Sequence, residues 1–192
     1  MDGAPAAVLL ASGRGSRFDP SGVSNKLLAR LSDGRPVLRA SAETLLGELD
    51  SVVVVVPTLH AELRRALDGL RVEWIVNERS SHGMGTSIAR GVAATANARG
   101  WLIALGDMPF VSGATIRALV AALGRGASIV APRFMGERGH PVGFAAEHFA
   151  ALSATSGDTG ARELLERRSI EFVDVADSGI LSDIDTPGDL PR

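Results

Sequence analysis

The chain has 192 residues, of which 45% are hydrophobic and 22% are charged, and its formal net charge is −2. Cysteine is absent, which excludes disulfide scaffolds, thiolate zinc sites and cysteine nucleophiles. The near-neutral charge offers no electrostatic reason to expect nucleic acid or an anionic membrane as a partner. Length and composition are typical of globular proteins, and we expect one domain over residues 1–192.

No apolar run approaches the ~20 residues that a membrane-spanning helix needs. The run Val52 to Val56 is much too short for that purpose. The first residues also lack the basic segment, apolar core and cleavage site of a secretory signal. We therefore expect a cytoplasmic protein.

Apolar, β-prone runs alternate with helical patterns, which predicts an α/β protein with a mainly parallel sheet. The valine run at 52–56 is typical of a strand covered on both faces. Pro36 suits the first turn of a helix, and Ser112 suits a helix cap. In chain order the predicted elements are strand 6–11, helix 36–49, strand 51–56, helix 58–68, strand 72–76, helix 85–99, strand 101–105, helix 112–123 and strand 127–131.

The pattern changes after Pro132, where glycines and Pro141 interrupt regular structure. The elements predicted beyond this point are strand 142–144, helices 147–153 and 159–168, strand 170–175 and a last element beginning near residue 187. We interpret this final third as an elaboration of the same sheet.

Lys26 is the only lysine in the chain, and the other basic residues are all arginine. A position that keeps lysine in such a background is a candidate for needing a compact ammonium, which a planar guanidinium does not replace. Chance is the alternative explanation, and composition alone does not separate the two.

The first candidate site is a glycine-rich loop directly after the first strand, where open parallel sheets bind their ligands. Its glycines allow backbone N–H groups to converge on an anion, and its serine and arginines add donors and charge. The loop lacks the Walker A spacing, and Phe18 replaces the third glycine of a dinucleotide fingerprint. Phosphate binding is the favoured interpretation, for the residues Leu10, Ala11, Ser12, Gly13, Arg14, Gly15, Ser16 and Arg17.

The second candidate site surrounds a predicted helix start. It begins with Asn77 and continues through the segment from Ser81 to Ser87, which contains Gly85. Unpaired N–H groups and the partial positive charge of a helix N-terminus suit an anion or the edge of a base. Ordinary capping by Thr86 or Ser87 is the alternative.

The third candidate site is Asp107, which follows a hydrophobic strand and stands between Gly106 and Met108. A carboxylate in that place is costly unless it is solvated, hydrogen-bonded or bound to a metal. Magnesium held by one or two carboxylates and substrate phosphates would account for it. A turn or cap aspartate is the alternative, although Ser112 is already the predicted cap of the next helix.

The last third of the chain contains three further polar motifs. Asp183 and Asp185 alternate, so that both side chains lie on one side of an extended segment, and one of them could complete a metal site with Asp107. Each motif alone is more typical of a turn or cap, and His140 could be structural. The motifs are Arg138-Gly139-His140-Pro141, Gly157-Asp158-Thr159-Gly160-Ala161-Arg162 and Asp183-Ile184-Asp185-Thr186-Pro187.

Taken together and in this order, the motifs resemble those of nucleotidyltransferases of the molybdenum cofactor cytidylyltransferase type. That group is close to the molybdopterin-guanine-dinucleotide synthase-like enzymes. The family opens with Leu-Ala-Ala-Gly-x-Ser-x-Arg-Met-Gly-x-x-Lys, which the segment from Leu10 to Arg17 and then Lys26 match. Three features depart from the pattern: Ser12 replaces alanine or glycine, Phe18 replaces methionine, and the stretch 19–25 is longer.

The resemblance implies a three-layer sandwich with a mostly parallel central sheet, the Rossmann-like nucleotidyltransferase or nucleotide-diphospho-sugar transferase fold. It implies Mg²⁺-dependent transfer of NMP from an NTP, with CTP expected, to a phosphorylated acceptor, with molybdopterin expected, and release of pyrophosphate. A molybdoenzyme or its maturation factor would be a protein partner. The alternatives are guanylyl or other nucleotidyl transfer to another acceptor, a non-catalytic nucleotide-binding module, and a nicotinamide-dependent oxidoreductase.

The resemblance also implies residue roles. Arg17, Lys26 and Asp107 would be catalytic, and Asp107, Asp183 and Asp185 would hold the metal. His140, Pro141 and Asp158 would face the acceptor. The nucleotide would contact Leu10, Ala11, Ser12, Gly13, Arg14, Gly15, Ser16, Arg17, Lys26, Asn77, Gly85, Ser87 and Asp107.

Overall fold

The structure is a computed structural model that describes residues 4–13, 15–157 and 161–190, without the side chains of Glu163 and Arg167. Four residues of the candidate motifs lie outside the described residues: Arg14, Asp158, Thr159 and Gly160. The strands are β1 (Ala6–Leu10), β2 (Val52–Val56), β3 (Glu73–Val76), β4 (Gly100–Leu105), β5 (Ile129–Phe134), β6 (Glu137–Arg138), β7 (Val142–Ala145) and β8 (Glu171–Asp174). The α-helices are α1 (Val37–Leu46), α2 (Ala61–Ala66), α3 (Met84–Ala94), α4 (Gly113–Gly124), α5 (Phe149–Ser153) and α6 (Arg162–Arg167).

The strands form one mixed sheet in the order β3-β2-β1-β4-β7-β5-β6, and β8 pairs with β5. The pairs β1–β2, β1–β4, β2–β3 and β5–β8 are parallel, whereas β7 and β6 run antiparallel to their neighbours. The chain leaves β1 toward β2 and β3 and returns on the other side of β1 as β4. This reversal places a topological switch point between β1 and β4, where open α/β sheets bind ligands.

Helices cover both faces of the sheet, as the two apolar clusters show. Alternate residues of β1 divide between the faces: Ala7 and Leu9 belong to one cluster, and Ala6 and Val8 to the other. The first cluster is closed by α1, α2 and α4, and the second by α3, α5 and α6. The predicted three-layer α/β architecture with a mostly parallel sheet is therefore confirmed.

Most predicted elements are present within a few residues of their predicted bounds. The five valines of β2 are all buried, because the strand has neighbours on both edges and helices on both faces. Ser112 caps α4, since its hydroxyl oxygen accepts the amide of Thr115 at 3.2 Å. Among the described residues, no helix has the combination of length and apolar character that a bilayer crossing needs.

Differences from the prediction include the bounds of two helices and one additional strand. Helix α3 ends at Ala94 rather than residue 99, and the Thr95 hydroxyl there accepts the Trp101 indole N–H at 2.9 Å. Helix α2 occupies only residues 61–66 of the predicted 58–68. The two-residue strand β6 was not predicted. It pairs with the end of β5 through a hairpin whose tip, Met135 and Gly136, has positive φ angles of 50° and 89°.

Gly91 allows α3 to lie close against the sheet. A Cβ atom at this position would stand 2.3 Å from Val8 Cγ1 and 3.0 Å from Val55 Cγ2. We expect Gly91→Ala to lower the free energy of unfolding by about 1–3 kcal/mol, because a stiff, β-branched neighbour cannot yield without backbone movement. Urea denaturation measures this change.

Gly124→Ala is the matched control, since Gly124 ends α4 and a Cβ there meets nothing within 4 Å. Its greater helix propensity should leave stability unchanged or raise it by up to about 1 kcal/mol. Equal stability of the two variants would contradict close packing of α3 on the sheet.

Candidate active site

The loops that follow β1 and β4 meet at the switch point of the sheet. The amide of Gly106 donates to the carbonyl of Leu10 at 2.9 Å, which ties the start of the β4 loop to the end of β1. On the opposite side, the hydroxyl of Ser41 in α1 donates to the carbonyl of Gly106 at 3.1 Å. Asp107 is the next residue, so its carboxylate projects from a loop that is fixed on two sides.

The long loop before Lys26 is closed by its own side chains. Asp19 accepts the amides of Ser21 at 2.8 Å and Ser24 at 2.7 Å, and the Ser21 hydroxyl at 2.6 Å. These hydrogen bonds lower the pKa of Asp19 to about 2. The side chain of Asn25 then accepts the amide of Leu27 at 3.0 Å and begins a 3-10 turn at Lys26. The additional residues of the loop are thus held by local hydrogen bonds, and Lys26, which follows them, lies at the cleft.

The C-terminal segment returns to the same place through one buried residue. Ile184 is 1% exposed, packs against Leu31 and Val37, and donates its amide to the carbonyl of Asp107 at 2.8 Å. With Ile184 pointing into the core, its neighbours Asp183 and Asp185 face the cleft. Carboxylate oxygens of Asp107, Asp183 and Asp185 all lie within 4.8 Å of one another.

Asp177, which sequence reasoning missed, anchors this C-terminal segment. Its carboxylate accepts the amide of Ser112 at 2.9 Å, the hydroxyl of Thr115 at 2.6 Å and the amide of Gly179 at 3.0 Å. Although burial raises the pKa of Asp177, these hydrogen bonds outweigh burial and hold it below the ordinary value. Residues around 177–179 are thereby attached to the start of α4.

Lys26 lies between two carboxylates. Its ammonium is 2.6 Å from Asp107 Oδ2 and 3.0 Å from Asp185 Oδ1, and only 8% of the side chain is exposed. Burial alone would lower the pKa of Lys26, but the hydrogen bonds and charges of Asp107 and Asp185 outweigh it and raise this pKa above the ordinary value. The lysine is therefore charged at neutral pH. Arg17 adds a second cation, 2.6 Å from Asp185 Oδ2.

These groups border a cleft of about 560 Å³, a volume typical of small-molecule sites. Eight of the predicted site residues line the cleft: Leu10, Ser12, Gly13, Arg17, Lys26, Asp107, Asp183 and Asp185. Three more lining residues, Ser81, Gly83 and Met84, belong to the second candidate site, whereas Ser80 and Leu105 were not selected from the sequence. Gly83 directly precedes α3, and its φ of 103° permits the chain to turn into this helix.

Asn77, Gly85 and Ser87 lie behind the cleft wall. Asn77 and Ser87 are buried and hydrogen-bond each other at 3.0 Å. Gly85 packs on the backbone of Ser156, where a Cβ would stand 2.6 Å from its nitrogen, and donates its amide to the Gly157 carbonyl at 2.9 Å. Capping by Thr86 or Ser87 is not observed, because Gly83 occupies the N-cap position of α3.

His140 and Pro141 line a separate small cavity of about 20 Å³ on the inner side of the Asp107 loop, with Leu105 and Met108. Burial, helped by the charge of Arg138, lowers the pKa of His140, so the ring is neutral near pH 7. Its Nδ1 atom is buried and has no hydrogen-bond partner among the described residues. The cavity has room for a water molecule but not for a substrate.

Known proteins resemble this chain along almost its whole length. The family described as the MobA-like NTP transferase domain matches residues 7–172. A nicotine blue oxidoreductase of Paenarthrobacter nicotinovorans is 34% identical over 198 residues, which cover 96% of this chain and 94% of that protein.

Solved structures are similar as well. The Rv0371c protein of Mycobacterium tuberculosis H37Rv has a TM-score of 0.81 at 27% identity, covering 98% of this chain and 96% of that one. A nucleotidyl transferase from Methanothermobacter has a TM-score of 0.81 at 25% identity, covering 97% and 94%. A manganese complex of Rv0371c has a TM-score of 0.77 at 26% identity, covering 97% and 95%. The resemblance inferred from the motifs is confirmed: the chain belongs to the MobA-like NTP transferase domain family and is a nucleotidyltransferase of that type.

Proposed function

We propose that the protein transfers NMP from an NTP to a phosphorylated acceptor and releases pyrophosphate, with CTP as the expected nucleotide and molybdopterin as the expected acceptor. The observation that carries the proposal is the contact of the sole lysine with two carboxylates from distant parts of the chain. Lys26, Asp107 and Asp185 meet within 3.0 Å at the border of a cleft large enough for a nucleotide.

The loop after β1 would bind the triphosphate. The amides of Gly13, Ser16 and Arg17 donate to no acceptor among the described residues, so they are available to phosphate oxygens. The guanidinium of Arg17 is 77% exposed and can turn toward a ligand, whereas Lys26 is buried and held in place. Together they provide fixed and movable positive charge for the leaving pyrophosphate.

The three carboxylates fit a hard divalent cation, because carboxylate oxygens are its preferred ligands and theirs lie within 4.8 Å of one another. We propose that Asp107, with Asp183 or Asp185, holds Mg²⁺. When bound, this ion would neutralise phosphate charge. Because the ammonium of Lys26 contacts two of these carboxylates, it lies beside the proposed ion, where phosphate oxygens of a bound nucleotide would come within its reach.

The reaction requires positioning more than covalent chemistry from the protein. An acceptor phosphate oxygen attacks the α-phosphorus, a new P–O bond forms, and the bond from this phosphorus to the pyrophosphate oxygen breaks in line. Lys26 and Arg17 would stabilise the charge that develops on the α-phosphate and the leaving group. No side chain needs to accept a proton from a phosphate that is already ionised.

The acceptor would enter the cleft beyond Asp107. We propose that His140 and Pro141 support the inner side of the Asp107 loop, where they line the small cavity, and that Asp158 contacts the acceptor. A molybdoenzyme or its maturation factor remains the predicted recipient of the product.

A pyrophosphate-release assay tests the proposal. CTP, GTP, ATP and UTP are each incubated with molybdopterin or another phosphorylated acceptor, with Mg²⁺ or with EDTA. We expect release with one preferred NTP, dependent on the acceptor, and loss of nearly all release in EDTA. Release that persists in EDTA would contradict the role assigned to the carboxylates, and no release with any pair would contradict the transferase.

An oxidoreductase is the second candidate, because the nicotine blue oxidoreductase is 34% identical to this chain over nearly the full length of both. The replacement of the third fingerprint glycine by Phe18 counts against a bound dinucleotide. Isothermal titration separates the candidates. Binding of NADH or NADPH in preference to every Mg-NTP would favour the oxidoreductase.

A further inference from the structure

A chain of hydrogen bonds runs from the interior to the cleft wall through Asn77, Ser87 and Ser12. The Asn77 side-chain nitrogen lies 3.0 Å from Ser87 Oγ, and Ser87 Oγ lies 2.9 Å from Ser12 Oγ. Asn77 is 6% exposed and Ser87 is fully buried, whereas Ser12 lines the cleft. Only the last member of the chain can touch a ligand.

Which atom donates in each of these hydrogen bonds is determined at the buried end of the series, at Asn77. The Asn77 side-chain oxygen accepts the backbone amide of Arg79 at 3.2 Å. Because a backbone N–H can only donate, this contact fixes the amide group, and its NH₂ must face the hydroxyls of Thr86 and Ser87. Ser87 Oγ is therefore an acceptor toward Asn77.

The proton of Ser87 must then go to Ser12. Within the described part of the chain, Ser87 Oγ has no other hydrogen-bond partner than Asn77 and Ser12. A buried hydroxyl that does not donate is unfavourable, so Ser87 donates to Ser12 Oγ. The hydroxyl proton of Ser12 has no partner of its own among the described residues and is free to point into the cleft.

We propose that Asn77 is a positioning residue that makes Ser12 a hydrogen-bond donor in the cleft, and that this donor meets an acceptor atom of the nucleobase and not a phosphate. The acceptor is a carbonyl oxygen or an unprotonated ring nitrogen. The inference rests on the proposed nucleotide binding. To nucleotide binding it adds that Ser12 donates the hydrogen bond to the ligand and that the buried Asn77 determines this direction.

Asn77→Asp tests this direction with almost no change in shape. An ionised carboxylate accepts from Ser87, so Ser12 must donate to Ser87 and loses its free proton. At pH 8 with excess Mg²⁺, calorimetry measures the Kd of the best-bound of the four NTPs and of inorganic tripolyphosphate. We expect Asn77→Asp and Ser12→Ala each to weaken the NTP by about fivefold, typical of one neutral hydrogen bond. Tripolyphosphate, which lacks a base, should bind unchanged.

Two further variants separate positioning from a general structural effect. The double variant N77D/S12A should bind the NTP no more weakly than Ser12→Ala, because both changes remove the same donor. Ser87→Ala, which leaves Ser12 its proton, should weaken the NTP less than Asn77→Asp. Thr95→Val is the control: it removes the hydrogen bond to Trp101 at the far end of α3 and should not affect binding.

The possible failures are distinguishable. A parent protein that binds none of the four NTPs contradicts the proposed function itself. If the parent binds an NTP but Asn77→Asp binds it equally well, or the losses of the two single variants multiply in the double variant, only the positioning role of Asn77 is overturned. If Asn77→Asp does not fold, Ser87→Ala and Ser12→Ala still test the proposal. Equal losses of NTP affinity in these two variants would contradict the proposed direction of the hydrogen bond.

Discussion

The Asp107→Asn variant should turn over at least about a hundredfold more slowly than the parent at saturating Mg²⁺, which corresponds to about 2.7 kcal/mol of transition-state stabilisation. Asparagine keeps the shape of the side chain but loses the charge that attracts a divalent ion. Only one of the two carboxylates that contact Lys26 is altered, and the 3.0 Å contact with Asp185 remains. The fold should therefore survive, with the midpoint of thermal unfolding shifted by less than about 5 °C.

Asp174→Asn provides the matched control. It removes the same charge from an exposed ion pair with Arg133, on strand β8 away from the cleft residues. Turnover and Mg²⁺ dependence should equal those of the parent. The pyrophosphate-release rate as a function of Mg²⁺ concentration measures both variants, and substantial activity in Asp107→Asn would remove Asp107 from the metal site.

The parts of the fold that were predictable are those whose signals are local. The valines of β2 and the cap at Ser112 depend on residues close in sequence, and both predictions were confirmed. Strand β6 was missed because two residues are too few for a period-2 pattern to be visible. The end of α3 was misplaced because Thr95 forms its hydrogen bond with Trp101, which belongs to the next strand.

The candidate site divides in the same way. Glycines, the sole lysine and the acidic motifs could be selected from the sequence, and the switch point explains why the loops after β1 and β4 converge. That Asp185 would contact a lysine 159 positions earlier could not be derived from spacing. The contact depends on Ile184 entering the core and on Asp177 joining the start of α4, and both are long-range interactions.

The burial of Asn77 and Ser87 shows a related limit of sequence reasoning. Both residues were expected to touch the nucleotide, because they follow a strand and begin a helix at the binding edge. The structure puts the Asn77 side chain against α3, where its 3.0 Å hydrogen bonds to Thr86 and Ser87 are made behind Ser12. A motif can place a residue at a site, but side-chain packing decides whether it faces the ligand.

The Lys26→Arg variant should lose about a hundredfold in kcat/KM although it keeps the positive charge. The stem of Lys26 runs along the glycine-rich loop, since a Cβ at Gly15 would stand 3.5 Å from Lys26 Cγ. Its ammonium lies 2.6 Å from Asp107 and 3.0 Å from Asp185 in a space where only 8% of the side chain is exposed. A wide, planar guanidinium does not fit the position of a compact ammonium without moving the loop or the carboxylates.

Arg117→Lys is the control for an exchange between lysine and arginine, because the side chain of Arg117 is 70% exposed and pairs with Glu48 at 2.6 Å on the surface. Its kcat/KM should equal that of the parent. Lys26→Met removes the cation beside Asp107 and leaves Asp185 with Arg17, and it should be at least as impaired as Lys26→Arg. Steady-state pyrophosphate release and thermal unfolding of each variant separate loss of activity from loss of fold. A Lys26→Arg enzyme as active as the parent would mean that charge alone suffices here, and that the single lysine of this arginine-rich chain has no special function.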